Sequence, residues 1–120
     1  MLDFRRIPEQ PDPGHYFDEE YVEWYWLAVL GPTGFCTLRR IHQMTDGLVG
    51  KWEIERDDFA DLVHVSGPRL GHTLRRLDHY GLIHHRGHSL WEVPIGVRDL
   101  TQGEIDTELP ATLAERIDPQ

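Results

Sequence analysis

Between His64 and His88 the chain holds four arginines (Arg69, Arg75, Arg76 and Arg86), six of its eight histidines and a single acid, Asp78. The arginine fork bonds guanine O6 and N7 together, or grips a phosphate in the same bidentate way. Histidine hydrogen-bonds phosphate and does so more strongly once protonated. Four arginines against one acid leave this window at +3, and the total of −9 puts −12 on the rest. The chain is therefore polarised, with a cationic segment on an acidic body. Acid elsewhere weakens non-specific binding to nucleic acid but does not forbid a local site.

Other chemistries fit these residues less well. Zinc takes three or four ligands in tetrahedral array. His84, His85 and His88, with His72 and His79, are the available imidazoles. The His84-x-x-x-His88 spacing suits a helix, whereas a hairpin is expected there, and no cysteine pair or acidic motif joins. No metal and no other cofactor is expected. Cys36 has no paired base. Gly31-Pro32-Thr33-Gly34 lacks the Lys-Ser/Thr of a phosphate loop. The carboxylates are scattered, so no catalytic constellation appears and an enzyme is not expected.

The elements that must position the cationic residues follow from periodicity. Leu70, Leu74 and Leu77 fall on one helical face. His72, Arg75, Arg76 and His79 gather on the opposite face, with Arg69 on its flank. Pro68 is tolerated in a first helical turn, Ser66 or Gly67 can cap it, and Gly81 ends it. Upstream, Phe59, Leu62, Val63 and Val65 predict a short apolar helix, capped by Asp57 or Asp58. Downstream, residues 82–85 and 90–93 predict two strands. Arg86-Gly87-His88-Ser89 forms the turn between them.

The string VSGPRLGHTLRRLDHYGLI, from Val65 to Ile83, resembles the winged helix-turn-helix pattern of Val-Ser, a variable tripeptide, then Leu-Arg-Arg-Leu and Gly-Leu-Ile. That ending is shared by MarR-like, GntR-like and phage or plasmid replication-type proteins. LGPTGFCTLRRI also resembles the first-helix region of short actinobacterial members. The resemblance implies an α+β winged helix-turn-helix that binds double-stranded DNA, as a transcriptional regulator of the short bacterial or phage type. It implies that Gly67, Arg69, His72 and Arg76 face bases from the major groove, with Arg75 and His79 on phosphates. Arg86 and His88, at the wing tip, would reach the adjacent backbone or minor groove. A homodimer would bind an inverted repeat with half-sites about one helical turn apart, and a monomer a single asymmetric site. Gly71 departs from the alanine or arginine usual in such helices. Glycine there costs up to about 1 kcal/mol; close approach of its backbone to DNA would account for it, and a tolerated weakness would do so equally. The alternative is a winged-helix protein-interaction module, adaptor or replication-associated, in which the acidic remainder and the aromatic segment near Trp24 carry function.

The rest of the chain frames this region. Residues 1–20 hold three prolines, a glycine and six acids and predict a flexible arm, with Arg5-Arg6 as a weak candidate for a minor-groove contact. The domain is expected over 21–96. Tyr21–Leu30 is rich in β-favouring residues; a strand or a helix start both fit, and a strand that pairs with the wing is preferred. It would place Trp24 and Trp26 on one face. Gly31-Pro32 then breaks the segment and restarts a helix. Phe35, Leu38 and Ile41 are its apolar stripe, Met44 the next position, and Cys36 a small core residue beside it. Residues 45–56 predict a loop and a short strand that completes the small sheet, with Lys51 and Arg56 as candidate phosphate contacts. Residues 97–120 form an acidic extension with two short helices, the first opened by a Thr101-x-x-Glu104 capping box. Its apolar residues would dock on the domain, on a second subunit or on a protein partner. No apolar run approaches the roughly 20 residues that span a bilayer, so no membrane partner is expected, and the lone cysteine fits a cytoplasmic setting.

Overall fold

The first strand of the sheet is one of its two interior strands. In the computed structural model, which describes residues 1–7, 14–17, 19–46 and 50–115, β1 (Leu2–Arg6) lies between β3 (Lys51–Ile54) and β5 (Leu90–Val93). It runs antiparallel to β3, with Phe4 opposite Trp52, and parallel to β5, with Phe4 beside Trp91. The short β4 (His84–His85) closes the far edge against β5. A separate two-residue ladder joins β2 (His15–Tyr16) to β6 (Gly96–Val97). The flexible arm expected at the N-terminus is thus corrected over residues 2–6. Leu2 and Phe4 are buried while Asp3 and Arg5 point away, the period-two pattern of a half-buried strand. Residues 8–13 and 18 of that expected arm lie outside the described residues.

The aromatic stretch after residue 20 is helical, not extended. A π-helical turn, Val22–Trp26, runs into α1 (Leu27–Thr45). Val22, Trp26, Val29 and Leu30 are all buried, a helical stripe that outweighs the β preference of the individual residues. Trp24 and Trp26 therefore part company: Trp26 is fully buried and Trp24 is 42% exposed. The predicted break is present. Gly31 leaves helical space (φ 77°, ψ 172°) and Pro32 restarts the turns. Phe35, Leu38 and Ile41 are buried as expected, whereas Met44 and Cys36 are exposed.

α2 (Arg56–Leu62) and α3 (Gly67–His79) follow, joined by four residues. Asp57 and Asp58 sit in the first turn of α2, where acids favour the helix dipole. The N-cap position belongs to Glu55, with no side-chain cap, so neither aspartate caps the helix. Both helices end in the same arrangement. Val65 N–H reaches Ala60 O with His64 in left-handed space, and Leu82 N–H reaches Leu77 O with Gly81 there. This double-bonded helix stop favours glycine at the left-handed position; His64 (φ 57°) occupies it without that freedom.

The core is one cluster. Phe4 stacks on Trp52 and meets Phe59 edge-on at 5.5 Å, which joins the sheet to α2. Leu70, Leu74 and Leu77 bury the inner face of α3. The C-terminal segment belongs to the same body: Leu100 and Leu109 are in the core, and α4 (Gln102–Glu108) precedes a short α5 (Ala111–Ala114). The capping box is present, with Thr101 Oγ1 accepting from Glu104 N–H and Glu104 accepting from Thr101 N–H. Neither the boundary expected at 20/21 nor the one at 96/97 divides the molecule. Ile117, the last expected apolar contact of the tail, lies outside the described residues.

Candidate nucleic-acid interface

α3 carries the candidate surface. Ser66 Oγ accepts from Arg69 N–H, and Gly67-Pro68 start the helix, so its first turn is fixed as the residue types require. With the leucines inward, Arg69, His72, Arg75 and His79 are exposed along the outer side. No ion pair engages any of the four among the described residues. Asp78, the one acid of the helix, is half-buried and accepts from His85 N–H. The outer side is therefore cationic and imidazole-bearing.

Three expected contacts have other occupations. Arg76 is turned inward. Its Nη1 donates to Leu30 O at 2.8 Å and its Nη2 to Val29 O at 2.7 Å, while the guanidinium lies 5.7 Å from the Tyr80 ring centre. Both carbonyls lie just before the kink at Gly31, and Arg76 bonds the two of them; its guanidinium is used as a brace rather than presented on the outer side. Gly71 is buried by the guanidinium of Arg56, into which a Cβ at this position would run, with Arg75 Nη1 next to it. The group a side chain at this position would meet is thus the far end of Arg56. Arg86 is ion-paired with Glu92 across the hairpin. Arg6 is likewise occupied, donating to His42 O, Thr45 O and Thr45 Oγ1, and Arg5 pairs with Asp3, so neither serves as a free basic arm.

The hairpin tip is held by histidines. His85 stacks on Trp91 at 4.3 Å and its Nε2 bonds His88 O at 2.7 Å. Gly87 and His88 both take positive φ there, and the His88 side chain is exposed at the tip. His72 and His79 remain on α3, apart from this group. Among the described residues no three histidine, cysteine or acidic side chains converge as a metal site would require. Sequence reasoning gave Arg56 little weight. Its place at the start of α2, one tight turn before α3, is the signal that could have raised it. Lys51, the other candidate from that loop, pairs with Glu53.

Beneath the surface, Arg98 ties the frame together. Its Nε donates to Tyr80 O, its two terminal nitrogens grip Glu104 at 2.8 Å each, and the guanidinium lies 5.0 Å from the Trp26 ring. The hydrogen bonds from Arg98 hold the Glu104 carboxyl down to about 2. His42 is buried against Phe17. Burial first, and the positive charge of Arg6 second, push its imidazole down to about 3. Leu100 and Leu109 of the C-terminal extension are buried within the chain, and Tyr80 Oη donates to Glu108. No described helix is long and apolar enough to cross a membrane.

No protein-family model, no curated protein and no solved structure matches this chain.

Proposed function

We infer that the protein binds double-stranded DNA through α3, as a winged helix-turn-helix regulator. The observation that carries this reading is the outer side of α3. Arg69, His72, Arg75 and His79 are exposed and have no ion pair among the described residues, in a chain whose net charge is −9. The element order supports it: a helix, a strand, two helices across a tight turn, then a hairpin with an exposed His88 at its tip. β1 is an addition to that plan, interposed between the strand after α1 and the hairpin. In this reading Arg69 and His72, at the leading end of α3, meet base edges in the major groove. Arg75 and Arg56 meet phosphates.

The test is selection from a randomised duplex pool, followed by fluorescence anisotropy on the enriched sequence. The wild type is expected to enrich one motif, with affinity falling steeply as salt rises. Arg69→Glu and Arg75→Glu are expected to lose it while remaining folded. The selected motif also reports stoichiometry, since a dimer gives an inverted repeat and a monomer a single asymmetric site. No enrichment at low salt would overturn the reading.

A further inference from the structure

The four-stranded sheet ends on β3 at one side and on β4 at the other, and the two edges differ. Main-chain bonds show which way each residue of β1 faces. Arg6 N–H donates to Gly50 O at 2.7 Å, on the β3 side. Asp3 and Ile7 N–H donate to Ser89 O and Val93 O, both at 2.9 Å, on the β5 side. Leu2, Phe4 and Arg6 therefore face β3, opposite Ile54, Trp52 and Gly50. Facing alternates along an antiparallel pair, so the main-chain groups of Lys51 and Glu53 point out of the sheet. No hydrogen bond to those groups is found among the described residues.

The edge at β4 is closed. Arg86 N–H donates to Leu90 O, so by the same alternation His85, opposite Trp91, turns its N–H away from β5. The Asp78 carboxylate accepts that N–H at 3.3 Å. No side chain does this for β3 among the described residues, and its pairing with β1 is regular and free of proline. Charges on an edge, lysine above all, commonly keep other strands away. This edge carries one charge of each sign. Lys51 and Glu53 are exposed on one face of the strand and pair with each other. The edge is thus locally neutral in a chain whose net charge is −9.

We propose that the open edge of β3 is an interface between two copies of this chain, paired antiparallel about a two-fold axis at Trp52. In that register Lys51 of each copy stands opposite Glu53 of the other. Both residues face outward, so each such pair exchanges two main-chain hydrogen bonds and sets opposite charges side by side. The contact is isologous, as a two-fold dimer requires. A strand reading Lys-x-Glu is its own antiparallel complement, which selects a second copy over an unrelated peptide. The product is one eight-stranded sheet with β4 at both ends, where Asp78 blocks further growth. The proposal does not rest on the DNA reading. Where that reading also holds, the dimer calls for an inverted repeat.

The test is sedimentation velocity of the full chain without nucleic acid. A short edge buries little area and gives a weak dimer, so concentrations run from about 10 µM to about 1 mM. The wild type is expected to move from monomer toward dimer in that range. Lys51→Glu sets acid against acid in both cross-strand pairs, and Glu53→Lys sets base against base. Each variant alone should raise the dissociation constant about tenfold or more. Glu53→Lys removes one acid and adds one base, taking the net charge from −9 to −7. Overall repulsion therefore falls in that variant and does not explain weaker association. An equimolar mixture of the two variants restores opposite charges in both pairs and should dimerise as the wild type does. The chain carrying both changes should do the same. Recovery on mixing also shows that each variant is folded, and circular dichroism checks this independently. A wild type that stays monomeric to about 1 mM would overturn the interface. So would a dimer that ignores both single changes, or a mixture of folded variants that does not recover. No arm contains DNA, so failure here leaves the DNA reading standing, and failure of duplex binding leaves the dimer standing.

Discussion

Arg76 and Leu30, 46 residues apart, are joined by a 2.8 Å hydrogen bond from guanidinium Nη1 to the main-chain carbonyl, with Val29 O bonded alongside. Both acceptors lie just before the kink at Gly31, and the middle of α3 supplies a guanidinium that bonds the two of them. Charge-assisted bonds of this kind contribute about 1.5–3 kcal/mol, and unpaired acceptors add to the loss. Arg76→Ala is therefore expected to lower unfolding stability by about 2–3 kcal/mol in urea denaturation. Arg75→Glu, one residue away and exposed, should stay within about 0.5 kcal/mol of wild type. Equal losses in the two variants would contradict the assignment of one as brace and the other as surface.

His64 is a position where a small substitution should improve the fold. It holds left-handed backbone at the end of α2, as Gly81 does at the end of α3. A non-glycine residue there carries strain of about 1–2 kcal/mol, offset in part by the extra freedom of glycine in the unfolded chain. His64→Gly is expected to raise the melting temperature by a few degrees, equivalent to about 0.5–1 kcal/mol. A lower melting temperature would show that the imidazole makes a compensating contact.

Two groups make stability fall with acid, in different windows. His42 has its folded value depressed to about 3 from 6.5. Above pH 6.5 it is neutral in both states and contributes no pH dependence. As pH falls below 6.5 the unfolded chain gains a proton that the folded one refuses, so stability drops until about pH 3. At pH 5 the single-site penalty is about 2 kcal/mol. His42→Phe should lose correspondingly less stability between pH 7.5 and 5.0 in urea titrations. Glu104 has its folded value depressed to about 2 from 4.5. Its contribution is complete above pH 4.5 and is lost as pH falls toward 2. Glu104→Gln should therefore flatten acid unfolding in the lower window and leave the upper one unchanged.

Gly71 offers a separate test of the surface. Alanine there meets only the far end of the Arg56 side chain, which is flexible and exposed. Gly71→Ala is expected to stabilise α3 by up to about 1 kcal/mol while displacing the Arg56 guanidinium. If Arg56 touches phosphate, anisotropy should show weaker duplex binding by a more stable protein. Unchanged binding would remove Arg56 from the interface.

Much of the region from Gly31 to Val93 was legible because its signals are local. Gly31-Pro32 announces a break, Ser66-Gly67-Pro68 a helix start, and the alternation of Leu70, Leu74 and Leu77 an inner face. The Gly87 turn and the Thr101-x-x-Glu104 box also declare themselves within a few residues. What was missed depends on distant partners. The strand at Leu2–Arg6 is too short to stand out beside the proline- and acid-rich stretch that follows it. Its pairing with residues near 52 and 91 has no local signature. At Tyr21–Leu30 two periodicities compete, and the burial of Trp26 against Arg98 decides for the helix. Within the site, exposure of Arg69, His72, Arg75 and His79 followed from the helical face. The inward turn of Arg76 did not, because the carbonyls it bonds lie 46 and 47 residues earlier in the chain.

The central place of β1 has a consequence for how the chain assembles. Leu2–Arg6 is synthesised before either of its neighbours, yet it must wait for residues 51–54 on one side and 90–93 on the other. Such non-local pairing, part of it parallel, is slow to form. During translation the helices can settle while a strand with one apolar face and two open edges remains unmatched, the kind of segment that invites association between chains. A bulky fusion placed just ahead of Leu2 would burden the step that closes the sheet, so yield of soluble protein should depend on which end carries the tag.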